Sequence, residues 1–142
     1  MLKDKLAKAV KRWQEEKLKL SPPNSEQQVI DSFRSIERLV SKDIIELYSN
    51  FGGFIDGDMN ESLLSLWTLE EIKKINSTVS ELTYFADFLI ESHRYAFKYE
   101  NINTSSVYSD CESEEFVKVA DSIEQFFDLY LTNPNKLGLF EE

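Results

Sequence analysis

The stretch LTYFADFLIESHRYAFKYE, residues 82–100, decides the fold class. Residues 82–90 are rich in aromatic and branched side chains, and aromatic residues occupy every second position within 94–100. Both patterns favour β-strands, because successive side chains of a strand point to opposite faces of a sheet. The polar residues at 91–93 are typical of a hairpin turn. This stretch therefore predicts two neighbouring antiparallel strands, with His93 in the turn between them.

Further short runs on both sides extend the predicted sheet. Residues 105–108 and 116–119 follow the hairpin, and residues 63–67 precede it. The connections between these runs are too brief for parallel crossovers, so we expect the sheet to be antiparallel.

Helical periodicity surrounds the predicted strands. Apolar residues recur at spacings of three and four, which is typical of helices that bury one face. This pattern predicts five helices, whose apolar faces fall within residues 2–13, 29–40, 44–51, 69–75 and 123–131.

Several residues predict where these helices begin and end. Ser25 with Gln28, and Thr68 with Glu71, have the spacing of a capping box. Ser41 is expected to cap the third helix, with Asp43 in its first turn, and Gly52-Gly53 is expected to end that helix in a left-handed conformation.

The composition indicates one folded domain. The chain has 142 residues, of which 42% are hydrophobic, which is too apolar for a disordered protein. Its single Cys cannot form an internal disulfide, so the fold does not require an oxidising compartment. No apolar run approaches the roughly 20 residues of a membrane span. These features predict a soluble, cytoplasmic protein.

The net charge of −10 is unevenly distributed. Residues 1–20 carry seven basic and three acidic side chains, a net +4, so residues 21–142 carry −14. Such a body argues against binding to nucleic acid or to anionic membranes, both of which attract Lys and Arg. We expect residues 1–20 to form a basic amphipathic helix packed on a domain spanning 21–142. The alternative is that this helix docks on a partner.

The sequence predicts no catalytic centre, cofactor or metal. The four glycines do not form a phosphate-binding loop, and neither Cys-x-x-Cys nor His-x-x-x-His is present. Cys111 lies between Asp110 and Glu112, and carboxylates disfavour a reactive thiolate. A carboxylate-dependent metal hydrolase remains an alternative, with its cation bound within residues 56–61, although these lack the full spacing of a calcium loop.

Five stretches resemble one protein family, the SUKH superfamily of Smi/Knr-like domains. They are LKLSPPNSEQQVIDSF (18–33), LVSKDIIELYSNFGGF (39–54), LWTLEEIKKIN (66–76), TYFADFLIESHRYAFKYE (83–100) and VADSIEQFFDLYL (119–131). The resemblance implies an α+β domain with a single, mostly antiparallel, curved sheet of about four to six strands flanked by helices. It also implies a protein without catalytic activity.

The resemblance further implies two kinds of function. Most bacterial members of the family resemble immunity proteins, which bind a cognate secreted toxin, often a nuclease, and neutralise it. A nuclease cleft must attract phosphate, so an acidic inhibitor complements it. The alternative is an intracellular interaction or regulatory adaptor, as the fungal members resemble.

The residues expected to contact a basic toxin are acidic side chains in predicted loops or at strand ends, where partner contacts usually lie. They are Asp56, Asp58, Glu61, Asp87, Glu91, Asp110, Glu112, Glu114 and Glu115. The protein itself is expected to be a monomer or a weakly associating homodimer.

Overall fold

The computed structural model describes residues 2–55, 64–76, 82–88, 93–110 and 116–132. Within these ranges the fold is α+β, with five helices and one five-stranded antiparallel sheet, which confirms the predicted fold class. The helices are α1 (Leu2–Glu15), α2 (Glu26–Ser35), α3 (Lys42–Asn50), α4 (Leu69–Ile75) and α5 (Ile123–Thr132). The strands are β1 (Leu64–Leu66), β2 (Leu82–Phe88), β3 (His93–Tyr99), β4 (Ser105–Ser109) and β5 (Val117–Ala120). None of the helices within the described ranges has the length and apolar character needed to cross a membrane.

The sheet is a simple meander in which each strand pairs with the next one in the chain. The predicted hairpin is present, because β2 and β3 pair from Leu82 opposite Lys98 to Phe88 opposite His93. His93 is therefore the first residue of a strand, and its prediction as a turn residue was wrong. A register shift between Tyr84 and Ala86 marks a bulge in β2.

One face of the sheet packs against the helices and forms the core. On this face the rings of Phe85 and Phe97 stack with centroids 3.8 Å apart. Phe126 of α5 meets Phe85 and Tyr95 edge-on, at 5.7 Å from each. All of these rings are buried, as the alternating pattern of β3 predicts for Tyr95 and Phe97.

Helix α1 lies against α5 and contributes to the same core. Trp13 is fully buried, its indole Nε1 donates a hydrogen bond of 2.8 Å to the hydroxyl of Tyr130, and its ring lies 4.8 Å from that of Phe51. Lys5 adds an ion pair to Glu124 at 2.9 Å. The apolar stripe of this basic helix is thus buried, whereas most of its lysines face solvent.

Two of the three predicted capping patterns are confirmed, at α2 and α4. At α3, Ser41 occupies the N-cap position, but its hydroxyl bonds to the Asp43 carboxylate and makes no capping hydrogen bond to the backbone, so that part of the prediction was wrong. The Ser25 side chain accepts a hydrogen bond from the Gln28 N–H at 3.1 Å, and Gln28 Oε1 accepts one from the Ser25 N–H at 2.8 Å. Thr68 and Glu71 form the equivalent reciprocal box at α4. Because a capping box depends only on residues three apart, the sequence is enough to predict it.

The helix ends show a motif that the sequence does not reveal. Lys17 and Glu37 have positive φ angles of 63° and 58°. Beyond α2, the N–H of Arg38 donates to the Phe33 carbonyl and the N–H of Glu37 to the Arg34 carbonyl, which is the Schellman arrangement. Helix α2 therefore ends at Ser35, and the predicted extension of its apolar face to residue 40 was wrong.

The two glycines after α3 serve close packing. The sequence predicts that Gly52-Gly53 ends α3 in a left-handed conformation, but the helix ends at an extended Phe51 (φ −159°), and of the two glycines only Gly53 has a positive φ. A Cβ on Gly52 would lie 2.2 Å from the Pro22 carbonyl oxygen, so a side chain there cannot be accommodated without backbone movement. Gly53 has a φ of 103°, which favours glycine, and a Cβ there would lie 2.7 Å from the backbone nitrogen of Thr68.

Candidate protein-binding surface

Five strand termini lie at the same end of the sheet, and acidic stretches of the sequence adjoin them. The start of β1, Leu64, lies opposite the end of β2, Phe88, which lies opposite the start of β3, His93. Beyond β3, the end of β4, Ser109, pairs with the start of β5, Val117. The meander thus brings five strand termini to one end of the sheet.

Two predicted contact residues lie at this end within the described ranges, namely Asp87 and Asp110. The other seven, Asp56, Asp58, Glu61, Glu91, Glu112, Glu114 and Glu115, lie outside the described residues. They belong to the segments 56–63, 89–92 and 111–115, which the chain joins to these strand termini and which contain no Lys or Arg. We call this part of the molecule the acidic end of the sheet.

Asp87 is held in place by a tryptophan. Its Oδ2 accepts a hydrogen bond of 2.6 Å from the indole Nε1 of Trp67, which is 5% exposed. Asp87 lies opposite Arg94 of β3 and is partly exposed. The bond fixes the position of the Asp87 carboxyl group at the surface.

Asp110 closes the pairing of β3 with β4. Its Oδ1 accepts a hydrogen bond of 2.8 Å from the backbone N–H of Arg94, and its own N–H donates to the Arg94 carbonyl at 3.2 Å. Asp110 is also partly exposed. Both described acids of the acidic end therefore support the sheet as well as carrying charge.

The face of the sheet opposite the core carries aromatic rings and cations. The Arg94 guanidinium lies 5.3 Å from the centre of the Tyr84 ring, which also contacts Phe116 at 6.0 Å. Lys98 Nζ lies 5.9 Å from the Tyr108 ring. The alternation in β3 predicts that Lys98 points away from the core, but it does not predict that these rings lie beside cations.

Comparison of the chain with protein-family models, with curated proteins and with solved structures finds no match. The likeness to the SUKH superfamily therefore rests on the sequence stretches alone. Within the described ranges, no group of three or more His, Cys, Asp or Glu side chains is placed to hold a metal ion.

A partly buried carboxylate, Asp43, joins three elements. It accepts hydrogen bonds from the hydroxyl of Ser41, from the N–H of Ser105 at 3.2 Å and from the N–H of Ile123 at 3.4 Å. Ser41 also contacts the Ser105 hydroxyl at 2.7 Å. Burial raises the pKa of Asp43, and these hydrogen bonds oppose the rise. The sequence placed Asp43 in the first turn of α3 but did not predict its contacts with β4 and α5.

A cleft opens at the end of the sheet opposite the acidic end. Its volume is about 280 Å³, and it lies between the connection from α2 to α3 and the strands β2 to β4. Arg38 lines it and is 8% exposed, whereas Leu39 at its rim is 70% exposed. The sequence does not reveal this site, because no local pattern shows that the Arg38 side chain is buried.

Proposed function

We propose that this chain is a non-catalytic immunity protein of the SUKH type, which neutralises a basic toxin domain by binding it through the acidic end of the sheet. The observation that carries the proposal is the convergence of five strand termini whose adjoining segments hold acids and no Lys or Arg. A nuclease domain is the example that best fits such a surface, because its cleft must be positive to hold phosphate.

Negative charge at the acidic end affects both the rate and the specificity of binding. Nine acidic residues belong to the acidic end or to the segments joined to it, in a chain whose net charge is −10. Complementary potentials speed the encounter of two proteins and disfavour partners of the same sign. In the proposed complex the toxin binds in the cytoplasm of the producing cell, and the immunity protein acts as a monomer or a weakly associating homodimer.

The test is co-expression with, and binding to, each toxin domain that is found encoded beside this gene. The variant Glu112→Gln/Glu114→Gln/Glu115→Gln removes three charges from one segment of the acidic end. We expect it to reduce the association rate at low salt about tenfold and to weaken the salt dependence of that rate. Surface plasmon resonance measures both quantities.

The matched control removes the same number of charges from exposed helical positions, as Glu15→Gln/Glu26→Gln/Glu70→Gln. At physiological salt we expect this control to bind within about twofold of the natural chain, because charges farther from the contact than the Debye length of about 8 Å are largely screened. Equal effects of the two triple variants would contradict binding through the acidic end. Absence of both protection and binding with every adjacent toxin domain would contradict the immunity function.

A specific observation also favours the adaptor function. Lys3, Lys8 and Lys11 are exposed on α1, so the helix presents a basic surface even though its apolar stripe is buried. Deleting residues 1–20 does not separate the two functions, because it also removes Leu6 and Trp13 from the core. Charge reversal does separate them. Loss of partner binding in Lys3→Glu/Lys8→Glu/Lys11→Glu, with full binding in the acidic-end variant, would support the adaptor.

A further inference from the structure

The cleft beside the α2–α3 connection combines an apolar floor with a cation. Its floor includes the buried side chains of Phe33, Ile44 and Phe97, which are 2% exposed or less. Arg38 lines the same cleft, and Leu39 stands at the rim. Thus a site of about 280 Å³ offers apolar contact and positive charge together.

The position of Arg38 is fixed by hydrogen bonds. Its Nε donates to the Thr83 hydroxyl at 3.1 Å, and its Nη1 donates to the Ile36 carbonyl at 2.9 Å. Burial lowers the pKa of Arg38, and the neighbouring Glu37 carboxylate opposes this effect. A guanidinium stays charged in proteins, so Arg38 brings a positive charge into an environment of low polarity.

We propose that this cleft binds a carboxylate carried on an apolar group, with the carboxylate on Arg38 and the apolar group on the floor. The proposal concerns the end of the sheet opposite the acidic end, and it does not depend on the immunity function.

Three features select this class of ligand. The hydrogen bonds to Thr83 and Ile36 hold the Arg38 positive charge in a fixed position, and charge-assisted hydrogen bonds are stronger where water is excluded. The floor of Phe33, Ile44 and Phe97 favours an aromatic or branched aliphatic body over a strongly hydrated anion such as inorganic phosphate. The volume suits one such body, since it lies at the lower limit of ligand pockets, roughly 300 Å³.

The probes are phenylacetate, its neutral isostere phenylacetamide and inorganic phosphate, each titrated against the ¹⁵N-labelled protein. We expect phenylacetate to give saturable chemical-shift changes at Arg38, Leu39 and Thr83. Phenylacetamide should bind at least tenfold more weakly, because it lacks the charge that Arg38 recognises. Phosphate should give no saturable change in the cleft.

A fourth probe, N-acetylglycylphenylalanine, distinguishes two sources of the same chemistry. Tighter binding of this dipeptide than of phenylacetate, by tenfold or more, indicates that the natural ligand is the C-terminus of a peptide. Equal or weaker binding indicates a small organic acid. Both results require the carboxylate, so the C-terminal amide of the dipeptide should bind at least tenfold more weakly than the free acid.

Variants identify the groups responsible. Arg38→Gln should abolish binding of phenylacetate, whereas Arg34→Gln removes an equal charge from an exposed position of α2 and should leave it unchanged. Because Arg38 also donates to Thr83, its variant can lose stability for structural reasons. Two exposed rim positions avoid this problem: Leu39→Ser should weaken binding severalfold, and Glu37→Gln should strengthen it by removing a like charge.

Several outcomes would overturn the proposal. Equal affinity for phenylacetate and phenylacetamide would show that no carboxylate is recognised. Unchanged binding to a folded Arg38→Gln protein would show that the cation is not used. If that variant does not fold, unchanged binding in both Leu39→Ser and Glu37→Gln overturns the proposal instead.

Discussion

Asp43 shows how a single carboxylate can organise distant parts of a small domain. It lies in the first turn of α3, yet it accepts hydrogen bonds from the backbone of β4 at Ser105 and of α5 at Ile123. The two acceptor oxygens satisfy backbone donors that would otherwise be costly to bury. Replacement of Asp43 by an apolar residue therefore removes the acceptor for more than one element.

We expect the Asp43 carboxyl group to titrate above the usual aspartate pKa of about 3.9, because desolvation of the carboxylate outweighs its hydrogen bonds. A raised folded-state pKa means that its contribution to stability is fully present below the unfolded pKa. The contribution is lost as the pH rises through the folded pKa. A ¹³C NMR titration of the Asp43 Cγ measures the midpoint directly.

The pH dependence of the free energy of unfolding independently checks the direction of the Asp43 pKa shift. Between the unfolded and folded pKa values of Asp43, the stability of the natural chain relative to that of Asp43→Asn should fall with rising pH, because the other carboxyl groups titrate in both proteins. Asp31→Asn, at an exposed position of α2, should keep the natural pH dependence. A midpoint at or below about 3.9 for Asp43 would contradict the dominance of desolvation.

Two helix ends carry a conformational free-energy cost that is visible only in the structure. Helices α1 and α2 are followed by Lys17 and Glu37 in the left-handed region, where glycine is the usual residue. An L-residue with a side chain pays about 1–2 kcal/mol in this conformation. Both positions are exposed, so their side chains extend into solvent.

We predict that Lys17→Gly stabilises the protein by about 0.5–1 kcal/mol, because relief of backbone strain exceeds the entropy that glycine adds to the unfolded chain. Urea denaturation measures the change. Lys11→Gly is the matched control within α1 and should destabilise by about 1 kcal/mol, since glycine is unfavourable in a helix interior. Destabilisation by Lys17→Gly would show that the long side chain makes contacts worth more than the strain.

At the scale of the whole molecule, an aromatic cluster joins the first and last described helices. Trp13 of α1 contacts Phe51, Phe54, Phe127 and Tyr130, with ring centroids between 4.8 and 6.4 Å from its own. The hydrogen bond between Trp13 and Tyr130 spans 117 residues of sequence. The basic helix is thus part of the hydrophobic core.

We predict that Trp13→Ala costs about 3–5 kcal/mol of stability, because it leaves a large cavity among these rings. Gln14→Ala, at an exposed position of the same helix, should change stability by no more than about 0.5 kcal/mol. Chemical denaturation of both variants provides the comparison. A cost below about 1 kcal/mol for Trp13→Ala would mean that α1 adds little to the core.

Local patterns account for what the sequence predicts correctly. The capping boxes at Ser25 and Thr68 involve residues three apart, and the hairpin of β2 and β3 follows from alternation within one stretch. The end of α2 was missed because Glu37 carries no sign of its left-handed backbone. Burial of Arg38 and Asp43 was missed because their partners, Thr83 and Ser105, are distant in sequence.

The sequence likewise predicts only part of the candidate binding surface. The sequence places acids in particular segments, but only the strand order shows that these segments adjoin one end of the sheet. It also does not predict that Asp87 is bonded to Trp67, or that Asp110 closes the pairing with Arg94. These contacts depend on tertiary packing, which no local pattern encodes.

The contact between α1 and α5 has a consequence for protein synthesis. The side chains that cover Trp13 include Tyr130 and Phe127, which the ribosome adds more than a hundred residues later. At roughly 5–20 residues per second, the nascent chain exposes the apolar stripe of α1 for about 6–25 seconds. The same helix carries Lys3, Lys5, Lys8 and Lys11, and like charges on neighbouring nascent chains repel each other.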